Sequence, residues 1–386
     1  MRMPRKTPKQ SQPSKIEMPS EDAFTTQQIE LFQSLLPQPQ FDRDKLSNTI
    51  DLWDAVPKYF VTRRKMNSMR NQGGYLKKIK CDFMHRKSGY CVEITPARIT
   101  DENDQEIEYY PSEREEAVED ALRKIAAEQT YGFFEITDKL KNSGVTFTLY
   151  GLMKELKKRG HTYSYRQIVD SLDIMNKCNI EIRGQNDEVR YSSAILPEVA
   201  EVHRKKYISN PKARWVVRFN ALVTESIWAL TYRQYNYDKV MRYKSQLTRW
   251  LHKRLVHNFT QADHMNKYHI SYSTIKRDSR LLSGKNPRED LRQLKSTLDE
   301  LCREKAIHEG YQVTVERGPR GKILDAKIEL FAHTDLIHEI RTSNQRHQLN
   351  QKQLEGRVTG EQANSESRQV KRRKSFLEYH KNASKT

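Results

Sequence analysis

The 386-residue chain has only four cysteines, Cys81, Cys91, Cys178 and Cys302, and no two form a CxxC pair. That excludes a disulfide framework and a cysteine-built zinc site, and reads as reduced, mostly buried thiols of a cytoplasmic protein. No apolar run is long enough to cross a bilayer. The basic N-terminus, Met1 to Lys15, leads into no apolar segment, so neither a membrane span nor a signal peptide is expected. Catalytic signatures are missing too. Gly318-Pro319-Arg320-Gly321-Lys322 has two spacers where a phosphate-binding P-loop needs four, and it continues with Ile323. No His-hydrophobe-His pair offers a metal site for a nicking nuclease. His252 and His257, like His264 and His269, are five apart, a poor spacing for one metal-binding helix face. The expectation is a protein that binds rather than catalyses, with no cofactor and no metal.

Acidic residues are also scarce relative to basic ones. Lys and Arg number 69 against 50 Asp and Glu, a net charge of +19. An excess of that size implies a polyanionic partner, and without a membrane-directed segment that partner is nucleic acid.

The length suits two or three compact domains. Residues 1–50 are Pro- and Gln-rich and read as a flexible basic tail; residues from 342 to 386, with Lys371-Arg372-Arg373-Lys374, read the same way. Between them one supersecondary unit recurs, in 51–208 and in 209–341. In the first copy, helical spacing of Val118, Leu122 and Ile125 predicts a helix over 115–129. Val145-Thr146-Phe147 is β-like, a second helix runs from 149 to 159 and ends at Gly160, and a third from 164 to 177 buries Ile168, Leu172 and Met175. Two β-rich stretches, 180–183 and 189–195, follow around a Gly184-Gln185-Asn186-Asp187 turn.

In the second copy a strand over 212–219 and a short helix over 222–228 precede a long helix over 238–259. A β-like 269–271 and a helix over 273–282 come next. Pro287 then starts a helix to about Glu304 with Leu291, Leu294, Leu298 and Leu301 on one face, and a hairpin over 312–331 closes the unit. Gly160 and Gly284 stand in corresponding places before the last helix, and Cys178 and Cys302 near its end. Helix, helix-turn-helix, two-stranded wing is the order of a winged helix. The predicted fold class is therefore α+β: tandem winged helices with disordered basic N- and C-terminal tails.

A winged helix lays its third helix in the major groove and its wing on the backbone or minor groove. In the second copy the leucine stripe puts Arg292, Ser296 and Arg303 on the opposite face, with Arg288 and Gln293 at the flanks. Arg suits guanine and Gln suits adenine. Arg317, Arg320 and Lys322 crowd the wing tip, where they suit phosphate. Glu289, Asp299 and Glu300 share the helix and must be paired or face away from DNA. In the first copy the corresponding face carries Arg166, Asp170, Asp173 and Lys177, with Gln167 on its flank. Two carboxylates there oppose phosphate, which leaves two roles open, DNA contact near the N-terminus or self-association. Basic runs over 58–87 and 233–254, the latter interleaved with Tyr232, Tyr235, Tyr237, Tyr243 and Trp250, suit single-stranded DNA, although core packing is the plainer role for Tyr243 and Trp250.

Gln28-Ile29-Glu30-Leu31-Phe32 sets a glutamine ahead of an adjacent Leu-Phe pair in a polar segment, and it resembles the short peptide that holds the bacterial sliding clamp. Many such peptides have Leu where this one has Ile29. With that peptide, a basic segment Pro57-Lys58-Tyr59-Phe60-Val61-Thr62-Arg63-Arg64-Lys65, and Val145-Thr146-Phe147-Thr148-Leu149-Tyr150-Gly151-Leu152 entering the first helix-turn-helix, the chain resembles the TrfA-type replication initiators of broad-host-range plasmids from about Gln28 to Phe331. The resemblance implies binding to repeated origin sequences (iterons), opening of an adjacent AT-rich region, and recruitment of the sliding clamp through Gln28, Leu31 and Phe32. It also implies contact with the host initiator and replicative helicase, and a shift between dimer and monomer. The alternatives are a winged-helix repressor that autoregulates its own promoter, which needs no clamp peptide, and an origin-nicking enzyme, which would leave a covalent tyrosyl-DNA adduct.

Overall fold

The computed structural model describes residues 45–100, 104–128, 132–136, 141–184, 190–200, 214–228, 232–284 and 286–362. Of the expected tails, residues 1–44, with the Gln28–Phe32 peptide, and residues 363–386 lie outside the described residues.

An N-terminal extension comes first: strand β1 (Leu46–Ile50), helices α1 (Asp51–Ala55) and α2 (Arg63–Gly73), strands β2 (Ile79–His85) and β3 (Ser88–Thr95), and the hairpin β4 (Ala97–Thr100) with β5 (Glu106–Tyr109). The first winged-helix unit follows. It contains α3 (Glu113–Glu128), β6 (Gly132–Ile136), β7 (Lys141–Phe147), α4 (Leu149–Lys158), α5 (Tyr165–Lys177), β8 (Asn179–Gly184) and β9 (Arg190–Ser193). Strands β10 (Glu198–Ala200) and β11 (Trp215–Arg218), helix α6 (Ala221–Trp228), strand β12 (Tyr232–Asn236) and helix α7 (Tyr237–Arg242) lead into the second unit. That unit is α8 (Gln246–Asn258), β13 (Lys267–Ser271), α9 (Tyr272–Ser279), α10 (Pro287–Arg303), β14 (Gln312–Arg317) and β15 (Ile323–Phe331), and helix α11 (Thr334–Gln362) ends the described chain.

Local chemistry sets the helix limits. The Thr148 hydroxyl caps α4 by accepting from the Gly151 amide, and α4 stops at Gly160, whose φ of 89° a residue with a side chain rarely adopts. The amides of Gly160 and His161 bond back to Lys157 and Leu156, a Schellman ending. Ser164 and Gln167 form a reciprocal capping box at the start of α5. At α10, Asn286 caps the helix and Pro287 occupies its first turn. Its far end is again a Schellman motif, with Lys305 at φ 54° and bonds from Lys305 and Ala306 to Cys302 and Leu301.

The second unit closes as a winged helix, with a three-stranded antiparallel sheet in the order β13-β15-β14. The first departs from that plan. Its hairpin β8–β9 pairs with β3, giving the sheet β2-β3-β8-β9, while β7 lies in a separate sheet, β10-β11-β7-β6. Strand β11, which alternation alone puts at the head of the second copy, is thus a partner of β7 in the first, with Trp215 opposite Phe147. The predicted helix over 238–259 is two helices, α7 and α8, separated at Tyr243–Ser245. There the Lys244 amide bonds to Glu300 on α10 rather than continuing the ladder.

Both expected tail boundaries shift for the same reason, burial of side chains. Strand β1 begins at Leu46 and pairs antiparallel with β12, with Ile50 buried. Helix α11 carries the chain past 342 to Gln362, and its first turns bury Leu336, Ile337, Ile340, Ser343 and Arg346.

The units are joined through α3 and α8. Ala117, Val118, Ala121, Leu122 and Ile125 place α3 at the centre of the first unit. Its other face meets α8 through charged groups: Asp120 takes Lys253 at 2.6 Å and Arg123 at 2.7 Å, Glu116 accepts from Gln246 at 2.7 Å, and Glu113 pairs with the buried Arg249. Helix α1 completes the cluster. Asp54 pairs with Arg123 at 3.0 Å, and Glu119 accepts from the Trp53 indole at 2.7 Å and the Tyr59 hydroxyl at 2.5 Å. Desolvation opposes ionisation of Asp54, but Arg123, Lys253 and Lys58 around it drive its pKa far below the carboxylate range. Among the described residues, no helix is long and apolar enough to cross a membrane.

Candidate nucleic-acid interface

The outward face of α10 follows from its leucine stripe. Leu294, Leu298 and Leu301 are fully buried, so Arg288, Arg292, Gln293, Lys295 and Ser296 project to solvent. No side chain of these five makes a hydrogen bond or ion pair within the described residues. Arg292, Gln293 and Ser296 line an open concavity of about 630 Å³ that Ser245, Ser283 and Gly284 border from neighbouring turns. The serines carry no sequence signal for this position, because they come from the start of α8 and the α9–α10 turn. A planar Arg and an amide side by side, free of internal partners, can each present a bidentate pattern to a base edge.

The acids of α10 are used internally. Glu300 is buried and accepts from the Lys244 amide at 2.7 Å and the Thr248 hydroxyl at 2.5 Å, so it ties the turn before α8 to α10. Asp299 accepts from the Tyr311 hydroxyl at 2.6 Å, and Glu289 bonds with Asn286. Asp290 fixes the angle between the two helices of the motif. One of its oxygens accepts from the Gly284 amide at 2.7 Å, and the other from the Tyr272 hydroxyl at 2.7 Å and the Lys276 ammonium at 2.6 Å. Burial pushes the Asp290 carboxyl up, but these donors outweigh it and hold it below its ordinary pKa. Gly284 is required by closeness, since a Cβ there would lie 2.6 Å from that carboxylate. Gly160 and Gly284 therefore correspond in sequence but serve different purposes, a left-handed helix end and a tight approach.

The wing projects beyond α10. Arg317, Arg320 and Lys322 are all exposed at its tip, which turns through Arg320 at φ 59° and Gly321 at φ 72°. Asp325 ties the wing to the start of α9 by accepting the Ser273 amide at 2.9 Å and its hydroxyl at 2.5 Å. Desolvation raises the Asp325 carboxyl, and these two bonds lower it further than that.

The first unit differs. Arg166 pairs with Asp170 at 2.7 Å and donates to the Thr100 carbonyl at 2.7 Å, which ties α5 to β4. Ile99 of β4 is buried, and that strand packs along α5. The Gln167 amide accepts from the Ser164 backbone at 2.9 Å as part of the capping box. Of the candidates on α5, Lys177 alone is exposed with no side-chain bond to another described residue, and it lies near Asp173.

Several cations of the basic runs are paired within the chain, while Arg64, Lys65 and Lys77 stay exposed. Arg63 pairs with Glu115, Arg86 with Asp51, and Lys78 and Lys80 with Glu93. Tyr232, Tyr235, Tyr237 and Tyr243 are buried, and Trp250 is half-buried under Arg254. The aromatic platform for single-stranded DNA is therefore core in these tyrosines.

The fold defines the class: a tandem winged-helix protein in which one third helix, α10, keeps an exposed polar face. No known family matches the sequence, and no curated protein is similar to it. Among solved structures, domains 2 and 3 of RctB share 11% identity at a TM-score of 0.45, covering 72% of this chain and 97% of that one. The Pi initiator protein in complex with iteron DNA shares 14% identity at a TM-score of 0.37, covering 50% of this chain and 82% of that one.

Proposed function

We propose that the chain is a plasmid replication initiator that binds repeated sequences at an origin and acts by binding rather than catalysis. The observation that carries this reading is α10, with Arg288, Arg292, Gln293 and Ser296 exposed and unpartnered on the outer face of a winged helix. In this reading those side chains read iteron bases, Arg317, Arg320 and Lys322 hold phosphate, and the Gln28, Leu31 and Phe32 peptide recruits the sliding clamp. Opening of an AT-rich region, contact with single-stranded DNA, host initiator and helicase, and exchange between dimer and monomer belong to the same proposal.

The test selects a binding site from random duplexes with the wild-type chain and repeats the measurement with Arg292→Ala. A loss of about 1–3 kcal/mol on the selected site, with relaxed preference at one base pair, is expected. An equal loss on selected and random DNA removes the base-reading role. A clamp pull-down separates the initiator from a repressor: Leu31→Ala/Phe32→Ala should abolish capture, and a wild-type chain that fails to bind the clamp favours the repressor.

A further inference from the structure

Helix α4 presents a stripe to solvent that the reading above does not use. Tyr150, Lys154 and Lys157 recur at intervals of four and three, so they fall on one helix face. All three are exposed, Tyr150 to 65%, an unusual position for a large aromatic on a folded surface. Neither lysine has an ion-pair partner within the described residues. Other cations of the unit are matched: Arg159 with Glu155 and Asp238, Arg166 with Asp170, Arg114 with Glu115. The helix dipole accounts for cations in a last turn, and Lys157 falls there, but Lys154 and Tyr150 do not.

The place of α4 supplies the partner. It is the first helix of the helix-turn-helix, the one that crosses the DNA backbone while the next enters the groove. Here the next helix, α5, is overlaid by β4 and has its arginine bonded to Thr100. We propose that the first unit engages duplex DNA through α4 rather than α5, with Lys154 and Lys157 neutralising phosphates and the Tyr150 hydroxyl hydrogen-bonding a phosphate oxygen. The counterpart in the second unit, α9, has its cations internally matched, Lys276 to Asp290 and Arg277 to Asp278. The two units thus divide the work: the second reads bases through α10, and the first grips the backbone through α4. The C-terminal end of α4 is fixed to α7, the helix that leads into the second unit, where Arg159 pairs with Asp238 and His161 contacts the Met241 carbonyl at 2.9 Å.

This inference rests on the reading that the chain binds duplex DNA, and one experiment separates their failures. Binding of the full chain to a random-sequence duplex is followed by fluorescence anisotropy across a salt series for wild type, Lys154→Ala/Lys157→Ala, Tyr150→Phe and Arg292→Ala. Each phosphate contact contributes about 0.9 to the slope of log affinity against log salt, so the lysine pair should lower the slope by about 2 and weaken selected and random DNA alike. Tyr150→Phe should weaken both duplexes without altering the slope. An unchanged slope and affinity in the lysine variant, with unchanged melting, overturns the α4 contact and leaves the DNA-binding reading intact. A wild-type chain that binds no duplex overturns both. A lysine variant that loses single-stranded RNA binding but keeps duplex binding also overturns the proposal.

Discussion

Replacing Asp290 tests the angle on which the proposed base reading depends. Its carboxylate carries three donors, and their exposures set what each loss costs. The Tyr272 hydroxyl belongs to a side chain only 5% exposed, so removing its acceptor leaves a buried polar group and costs about 1–3 kcal/mol. The half-buried Gly284 amide adds about 1 kcal/mol, while Lys276 turns to water at little cost. Asp290→Ala should therefore destabilise α9 and α10 by about 2–4 kcal/mol, and Asp290→Asn, which keeps an acceptor, by about 1–2 kcal/mol. Because the folded carboxyl sits below its unfolded pKa of about 3.9, its contribution is fully present above that value and is lost as pH falls through the folded one. The gap between wild type and Asp290→Asn should accordingly narrow below about pH 4. Hydrogen exchange of α9 and α10 amides reads the local stability, and anisotropy reads affinity. Selected-site binding should fall more than random binding, since only the former needs α10 aimed. Gly284→Ala should clash in wild type and be milder in an Asp290→Ala background. A loss below about 0.5 kcal/mol for Asp290→Ala, within the range of an ordinary surface change, would refute the pin.

Two further outcomes follow from the helix ends and from the contact between units. Lys305→Gly should stabilise the chain by about 1 kcal/mol in urea unfolding, because Lys305 holds a left-handed conformation that glycine adopts freely; a destabilised variant would show that the Lys305 side chain matters more. Lys253→Met removes one of two cations from the buried Asp120 and should cost about 3–5 kcal/mol, part of which Asp120→Asn restores in a double mutant; additive losses would mean the pair is not coupled.

The second unit was readable from sequence because its signals are local. The leucine stripe, Asn286-Pro287 and the glycine-bearing wing turn set α10 and the hairpin, and the exposed face of α10 follows from its buried one. The first unit was less readable because long-range pairing shapes it. Nothing in the residues of β11 says that they pair with β7 across a long insertion, nor that β4 lies along α5 and engages Arg166. The split between α7 and α8 depends on Glu300, more than fifty residues away. Runs of Lys and Arg mislead for the same reason, since their carboxylate partners are distant in sequence, as Arg249 and Glu113 show.

The charged contact between α3 and α8 also bears on how such a chain can evolve. Asp120 is completed by Lys253 of the second unit and Arg123 of the first, and strand β1 from the extension pairs with β12 beyond the first unit. Neither half is a cassette that recombination could exchange without leaving buried charge unmatched in the other. If the proposed contacts hold, the separation between α4 and α10 works as a fixed ruler along the DNA. A change in the spacing of the recognised sequence by half a helical turn, about 5 base pairs, would put one of them on the wrong face of the duplex. On the proposed function, origin and protein would have to change together, which would tie the repeat length of the DNA to a handful of carboxylates and ammonium groups in the protein interior.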